Sequence, residues 1–160
     1  MIRLDNGPAH VLAPRKTLDY FDIERATLPR AIAPLDAWNI IMEDPWPLLQ
    51  LAFRIRDAIS ARFGVKRIGG FSTKRAESAN VGERLDFFVV EHVDETSLVL
   101  TERDRHLDVM TCISVVGPEI SITSSVRTHN LFGRLYMIPV GVAHRWIVRG
   151  MLRKLARKLA

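Results

Sequence analysis

Two groups of polar side chains in the second half of the chain have the types and spacings that do chemistry. In the run Arg103-Asp104-Arg105-His106-Leu107-Asp108, a charged turn passes into a strand. His106 and Asp108 are two positions apart, so on an extended strand they share a face. There a carboxylate can orient an imidazole for acid–base work. No nucleophile accompanies the pair, so a charged surface hairpin is the preferred reading of the same residues. The second group runs from Thr128 to Tyr136 and offers His129, Asn130, Arg134 and Tyr136, with His144 and Arg145 further along. Asn130 is a natural cap for a following helix. The candidate ligand-binding residues are therefore His106, Asp108, His129, Arg134, Tyr136 and His144, and no residue is assigned a catalytic role. The five histidines, at 10, 92, 106, 129 and 144, show none of the short spacings of a metal site, so neither metal nor cofactor is expected. The single Cys112 cannot form an internal disulfide, and its place in an apolar strand suits a small buried hydrophobe better than a nucleophile.

These residues need a sheet and a helix to position them. Leu85 to Val93, Leu98 to Arg103, His106 to Val116 and Ile120 to His129 read as four strands joined by short turns, which favours antiparallel neighbours. From Leu107, the residues Leu107, Val109, Ile113 and Val115 form one apolar face, against His106, Asp108, Cys112 and Ser114. In the next strand Ile120, Ile122 and Val126 alternate with Ser121, Thr123, Ser125, Arg127 and His129. A long basic amphipathic helix follows and ends at Ala160, with its first turns expected to bend or break at Pro139 and Gly141. Earlier in the chain, Thr17 to Glu24 reads as a first strand and Pro34 opens a short helix. Asp44-Pro45 starts a second helix that ends at Gly64, and a loop, with a short strand near Ile68 to Ser72, fills the chain to Arg84. The expectation is a single α+β domain over residues 1–160, in which an antiparallel sheet grips a long C-terminal helix.

Composition narrows the function classes. The apolar fraction of 48% and charged fraction of 26% belong to an ordinary globular chain. The first 16 residues lack the apolar core of a signal peptide, and no uncharged run approaches the roughly 20 residues that span a bilayer, so a cytoplasmic location is expected. The net charge of +5 is matched and exceeded by Arg145, Arg149, Arg153, Lys154, Arg157 and Lys158, which share one helix. The simplest explanation is a core-facing helix with a solvated charged back, whose C-terminal cations also suit the helix dipole. Contact with an anionic membrane surface is the functional alternative. No stacking aromatics alternate with the cations, so nucleic acid is not expected.

The segments Asp104-x-His106-Leu107-Asp108, His129-Asn130-x-x-Gly133-Arg134-x-Tyr136 and His144-Arg145-x-Ile147-Val148 resemble an uncharacterised bacterial family labelled domain of unknown function 2867. The chain departs from that family's usual pattern at Thr101, where the family often has Gly, and at Val142-Ala143, where it often has Pro-Phe. The resemblance implies a START-like, or SRPBCC, helix-grip fold, a curved sheet wrapped around the C-terminal helix over an apolar pocket. It does not choose an activity, because one fold hosts many. The leading expectation is a module that binds a small hydrophobic or amphipathic molecule. The alternatives are a cyclase- or hydrolase-type enzyme using a pocket His with Asp or Tyr, and an interaction module working through the basic helix. Oligomeric state is left open.

Overall fold

The alternating runs of the second half pair in chain order. The computed structural model describes residues 1–5, 7–43 and 75–160. Its elements are β1 (Ile2–Arg3), β2 (His10–Val11), β3 (Tyr20–Thr27), α1 (Pro34–Met42), β4 (Arg84–Leu85), β5 (Phe88–Val93), β6 (Ser97–Arg103), β7 (Leu107–Val116), β8 (Glu119–Thr128) and α2 (Leu131–Leu159). Among the described residues, six strands form an antiparallel sheet in the order β3-β8-β7-β6-β5-β4. The protein is thus α+β, with a long C-terminal helix. The expected second helix, and the loop and strand that were to follow it as far as residue 74, lie outside the described residues.

Turn chemistry fixes the register. Val116 faces Glu119 across Gly117-Pro118, with Gly117 at φ 58 and Pro118 locked at negative φ. That combination is what a type II′ hairpin requires. At the other end of β7, Asp104 Oδ1 accepts from the backbone N–H of His106 at 2.6 Å and of Leu107 at 2.9 Å. This side-chain turn starts the strand at Leu107 and leaves His106 just outside it. Between β5 and β6, Asp94 Oδ1 accepts from the N–H groups of Thr96 and Ser97. Partial burial opposes the charge of Asp94, but hydrogen bonds from His92, Thr96 and Ser97 outweigh it and hold the carboxyl far below the usual carboxylate range.

The first strand is present three residues later than expected, at Tyr20–Thr27, because the chain makes a 3-10 turn at Arg15–Thr17 before extending. It adds to the edge of the meander beside β8, Tyr20 facing Val126. The core lies between one face of the sheet, α1 and α2. Trp38 and Ile41 of α1 meet Leu98, Leu100 and Ile113 of the sheet and Val148, Leu152 and Leu155 of α2.

The opposite sheet face is covered too. The β1–β2 hairpin lies against β7 and β8, where the His10 N–H donates to Cys112 Sγ at 3.3 Å and the Leu12 N–H to Ser125 Oγ at 3.0 Å. Beneath it Val99, Met110 and Cys112 are fully buried. Cys112 is the buried hydrophobe expected, and burial pushes its thiol up to about 11.

Helix α2 corrects the expected break. It runs unbroken through Pro139 and Gly141. Pro139 deprives only the Leu135 carbonyl of its partner, and Leu135 is exposed, so water can replace the lost bond. Gly141 is required by a neighbour, because a Cβ there would sit 2.9 Å from Tyr20 Cε2. Asn130 caps the helix as expected, accepting from the Gly133 N–H at 3.0 Å.

Candidate functional site

The inward residues of the strands and the underside of α2 do not close completely. They leave a cavity of about 260 Å³ between sheet and helix, with α1 at one end. Strand alternation supplies its floor: Leu107, Val109, Thr111 and Ile113 from β7, and Ile122, Ser124 and Val126 from β8. Each apolar series is interrupted once by a hydroxyl residue, and the two interruptions, Thr111 and Ser124, are direct partners across the β7–β8 ladder. Helix α2 forms the wall with Phe132, Tyr136, Val140, His144, Ile147 and Met151, and Trp38, Ile41 and Met42 of α1 close the far side.

His144 hangs from the middle of α2 into this wall. Its Nε2 lies 3.4 Å from Ser124 Oγ, and the Tyr20 ring meets it edge-on with centroids 5.9 Å apart. Its Nδ1 is buried and has no hydrogen-bond partner among the described residues. Burial lowers the pKa of His144, only partly opposed by Asp22 and Glu24, so the ring is neutral at pH 7. Those two carboxylates are occupied: Arg145 reaches Asp22 at 3.1 Å and Arg149 reaches Glu24 at 2.8 Å, tying α2 to β3. Tyr20 donates its hydroxyl to the Gly141 carbonyl at 3.1 Å, and burial, followed by the charge of Asp22, raises its pKa.

The other polar corner is built on His106, which is buried and packs on Phe132 with ring centroids 4.6 Å apart. Arg105 Nε donates to His106 Nε2 at 3.0 Å. An arginine can only donate, so Nε2 accepts, and the Nδ1 of the same ring lies 2.9 Å from Asn130 Nδ2 and 3.2 Å from Asn130 Oδ1. Phe132 in turn stacks on Tyr136.

Of the six expected ligand-binding residues, His106, Tyr136 and His144 line the cavity. Asp108, His129 and Arg134 are not among its lining residues. The candidate His106–Asp108 pair, the less favoured reading of that segment, is not formed. His106 precedes the strand and is aimed by the Asp104 turn rather than by strand alternation, whereas Asp108 lies on the opposite sheet face and pairs with His129 Nε2 at 3.0 Å. Arg134 is exposed on the helix. Sequence reasoning missed Tyr20, Thr111 and Ser124. The signal that could have found the last two is the single hydroxyl interrupting each apolar series. Among the described residues no group of three or more His, Cys, Asp or Glu side chains could hold a metal ion.

Comparison with known proteins places the chain in a family without giving it an activity. The family described as "Protein of unknown function (DUF2867)" matches residues 15–151. The chain belongs to that family. No curated protein matches the chain. A crystal structure of a hypothetical protein from Helicobacter pylori is similar at 13% sequence identity and a TM-score of 0.43, with 95% of this chain and 97% of that one covered. Within the DUF2867 region fall the whole six-stranded sheet and every residue named above as lining the cavity.

Proposed function

We propose that this DUF2867 protein is a binding module of the helix-grip, START-like kind that holds a small amphipathic molecule between its sheet and its C-terminal helix. The observation that carries this reading is the cavity itself, apolar over most of its lining and furnished with a few fixed polar groups. Apolar walls supply affinity at about 0.8 kcal/mol per buried methylene, and sparse polar groups set orientation. A volume of about 260 Å³ lies just below the range of ligand pockets, roughly 300–1,000 Å³, so the ligand is compact rather than a long-chain lipid held whole. His144 defines its polar end: a neutral imidazole beside the Ser124 hydroxyl suits an uncharged hydrogen-bonding group such as a hydroxyl, carbonyl or amide.

A serine–histidine enzyme built on the same pair is a different reading from the His with Asp or Tyr expected of a cyclase or hydrolase, and the geometry supports binding over it. A serine activated by histidine needs a third group on the far ring nitrogen to hold the ring and stabilise its charge. Nδ1 of His144 has no such partner among the described residues, and the nearby Asp22 and Glu24 are engaged by arginines.

Displacement of a polarity-sensitive dye by a panel of compact amphipathic compounds tests the reading. Val109→Trp, which fills the cavity from its floor, is expected to abolish dye binding while circular dichroism stays native. Dye binding that survives this substitution would place the ligand elsewhere.

A further inference from the structure

Helix α2 has a second apolar face, and it points away from the protein. Leu131, Leu135, Ile138, Val142 and Trp146 are each between 57% and 69% exposed. At 3.6 residues per turn their spacing confines them to an arc of about 80°, in a stripe about 22 Å long. Single exposed apolar residues are ordinary, but five large ones in a continuous row mark an interaction surface. The same face continues as Arg149, Arg153 and Arg157, so the outer side of one helix changes from apolar to cationic along its length. Residues 131–160 carry seven Lys and Arg and no Asp or Glu. Two of these arginines are paired to β3, whereas Arg153 and Arg134 have no ion pair among the described residues.

We infer that this face docks on an anionic lipid bilayer, with the stripe from Leu131 to Trp146 in the interfacial region and Arg153 and Arg157 against the headgroup phosphates. Charge decides the occupant. A second copy of the chain would press Arg134, Arg153 and Arg157, which have no ion pair among the described residues, against their equals, a like-charge contact, whereas a bilayer rich in acidic lipid answers both halves of the face. Trp146 stands where the apolar stripe meets the arginines, the position that suits an amphipathic indole at a membrane interface. No described helix is long and apolar enough to cross a membrane, so α2 lies along the surface. The face is distinct from the cavity lining, which occupies the other side of the helix. Docking therefore does not depend on the cavity being filled.

Flotation with vesicles of phosphatidylcholine and phosphatidylglycerol in a 7:3 ratio, at low and high salt, tests the assignment. The wild-type protein should float with these vesicles, shift its Trp146 emission to the blue, and dissociate at high salt. Pure phosphatidylcholine should bind at least about tenfold less. Ile138→Gln with Val142→Gln, and separately Arg153→Gln with Arg157→Gln, should each weaken binding by about tenfold or more without changing the circular dichroism. A Trp146→Phe variant identifies the emission change as that of this indole. The inference is overturned if neither vesicle floats the protein or if the double variants bind as well as wild type. It also fails if Trp146 is already shielded in lipid-free protein, whether by dimerisation or by another part of the chain.

Discussion

The Tyr20 hydroxyl donates to the Gly141 carbonyl across 3.1 Å, joining the edge strand β3 to the middle of helix α2 beside the cavity. The contact exists because residue 141 has no side chain, and the ring rests where a Cβ would be. Gly141→Ala should therefore destabilise the protein by about 1–2 kcal/mol, although alanine is intrinsically the better helix residue by about 1 kcal/mol. In a Tyr20→Ala background the same substitution should be neutral or stabilising. Urea titration of the four-member mutant cycle reads the coupling, and additive effects would contradict the packing described.

His144 couples stability to pH in a direction that its burial fixes. Its folded pKa lies below the ordinary value of 6.5, so the unfolded chain takes up a proton more readily than the native one. The stabilising contribution is complete above pH 6.5 and declines as pH falls below it. His10, also lowered mainly by burial, adds in the same sense. Urea midpoints at pH 7.5 and 5.0 should show a smaller acid loss in His144→Gln than in wild type. An equal loss in the two proteins would mean that the ring is not buried in solution.

The buried Nδ1 of His144, without a hydrogen-bond partner among the described residues, is a cost to the folded protein. An unsatisfied buried polar atom costs about 1–3 kcal/mol, so His144→Phe should leave the ligand-free protein as stable as wild type or more so. The same change should weaken binding of a hydroxyl- or carbonyl-bearing ligand by about tenfold, with a smaller effect on a wholly apolar analogue. Equal losses for both compounds would remove the polar role of His144.

Asn130 has two duties, capping α2 and holding the His106 ring. Asn130→Ala should cost about 1 kcal/mol as a lost cap, with a further loss as His106 is released, while Asn130→Asp retains the cap. Thermal unfolding of the two variants separates these effects. Cys112, buried with its thiol pushed up to about 11, should react with a thiol reagent only after denaturation.

Much of the sheet and the last helix can be read from the sequence because alternation and helical periodicity are local signals. Leu107, Val109, Ile113 and Ile120, Ile122, Val126 announce which side is core. The cavity is harder to read because its polar members are distant in sequence. Tyr20, Ser124 and His144 meet only after β3 joins β8 and α2 crosses them, and no spacing rule links them. Alternation also fails at a strand end: His106 looks like a face-mate of Asp108, but the Asp104 turn sets its direction. The β1–β2 hairpin is invisible for another reason, since two-residue strands carry no period. Pro139 misleads because a helix can continue through a proline that removes a single backbone hydrogen bond, here at the exposed residue Leu135.

Native mass spectrometry of freshly purified protein, compared with the mass after denaturation and organic extraction, tests the central claim most directly. A reproducible small adduct that leaves on denaturation and is absent from Val109→Trp is the predicted result. No adduct in the wild-type protein, together with no uptake of any compact amphipathic compound from the panel, would contradict a ligand-holding cavity.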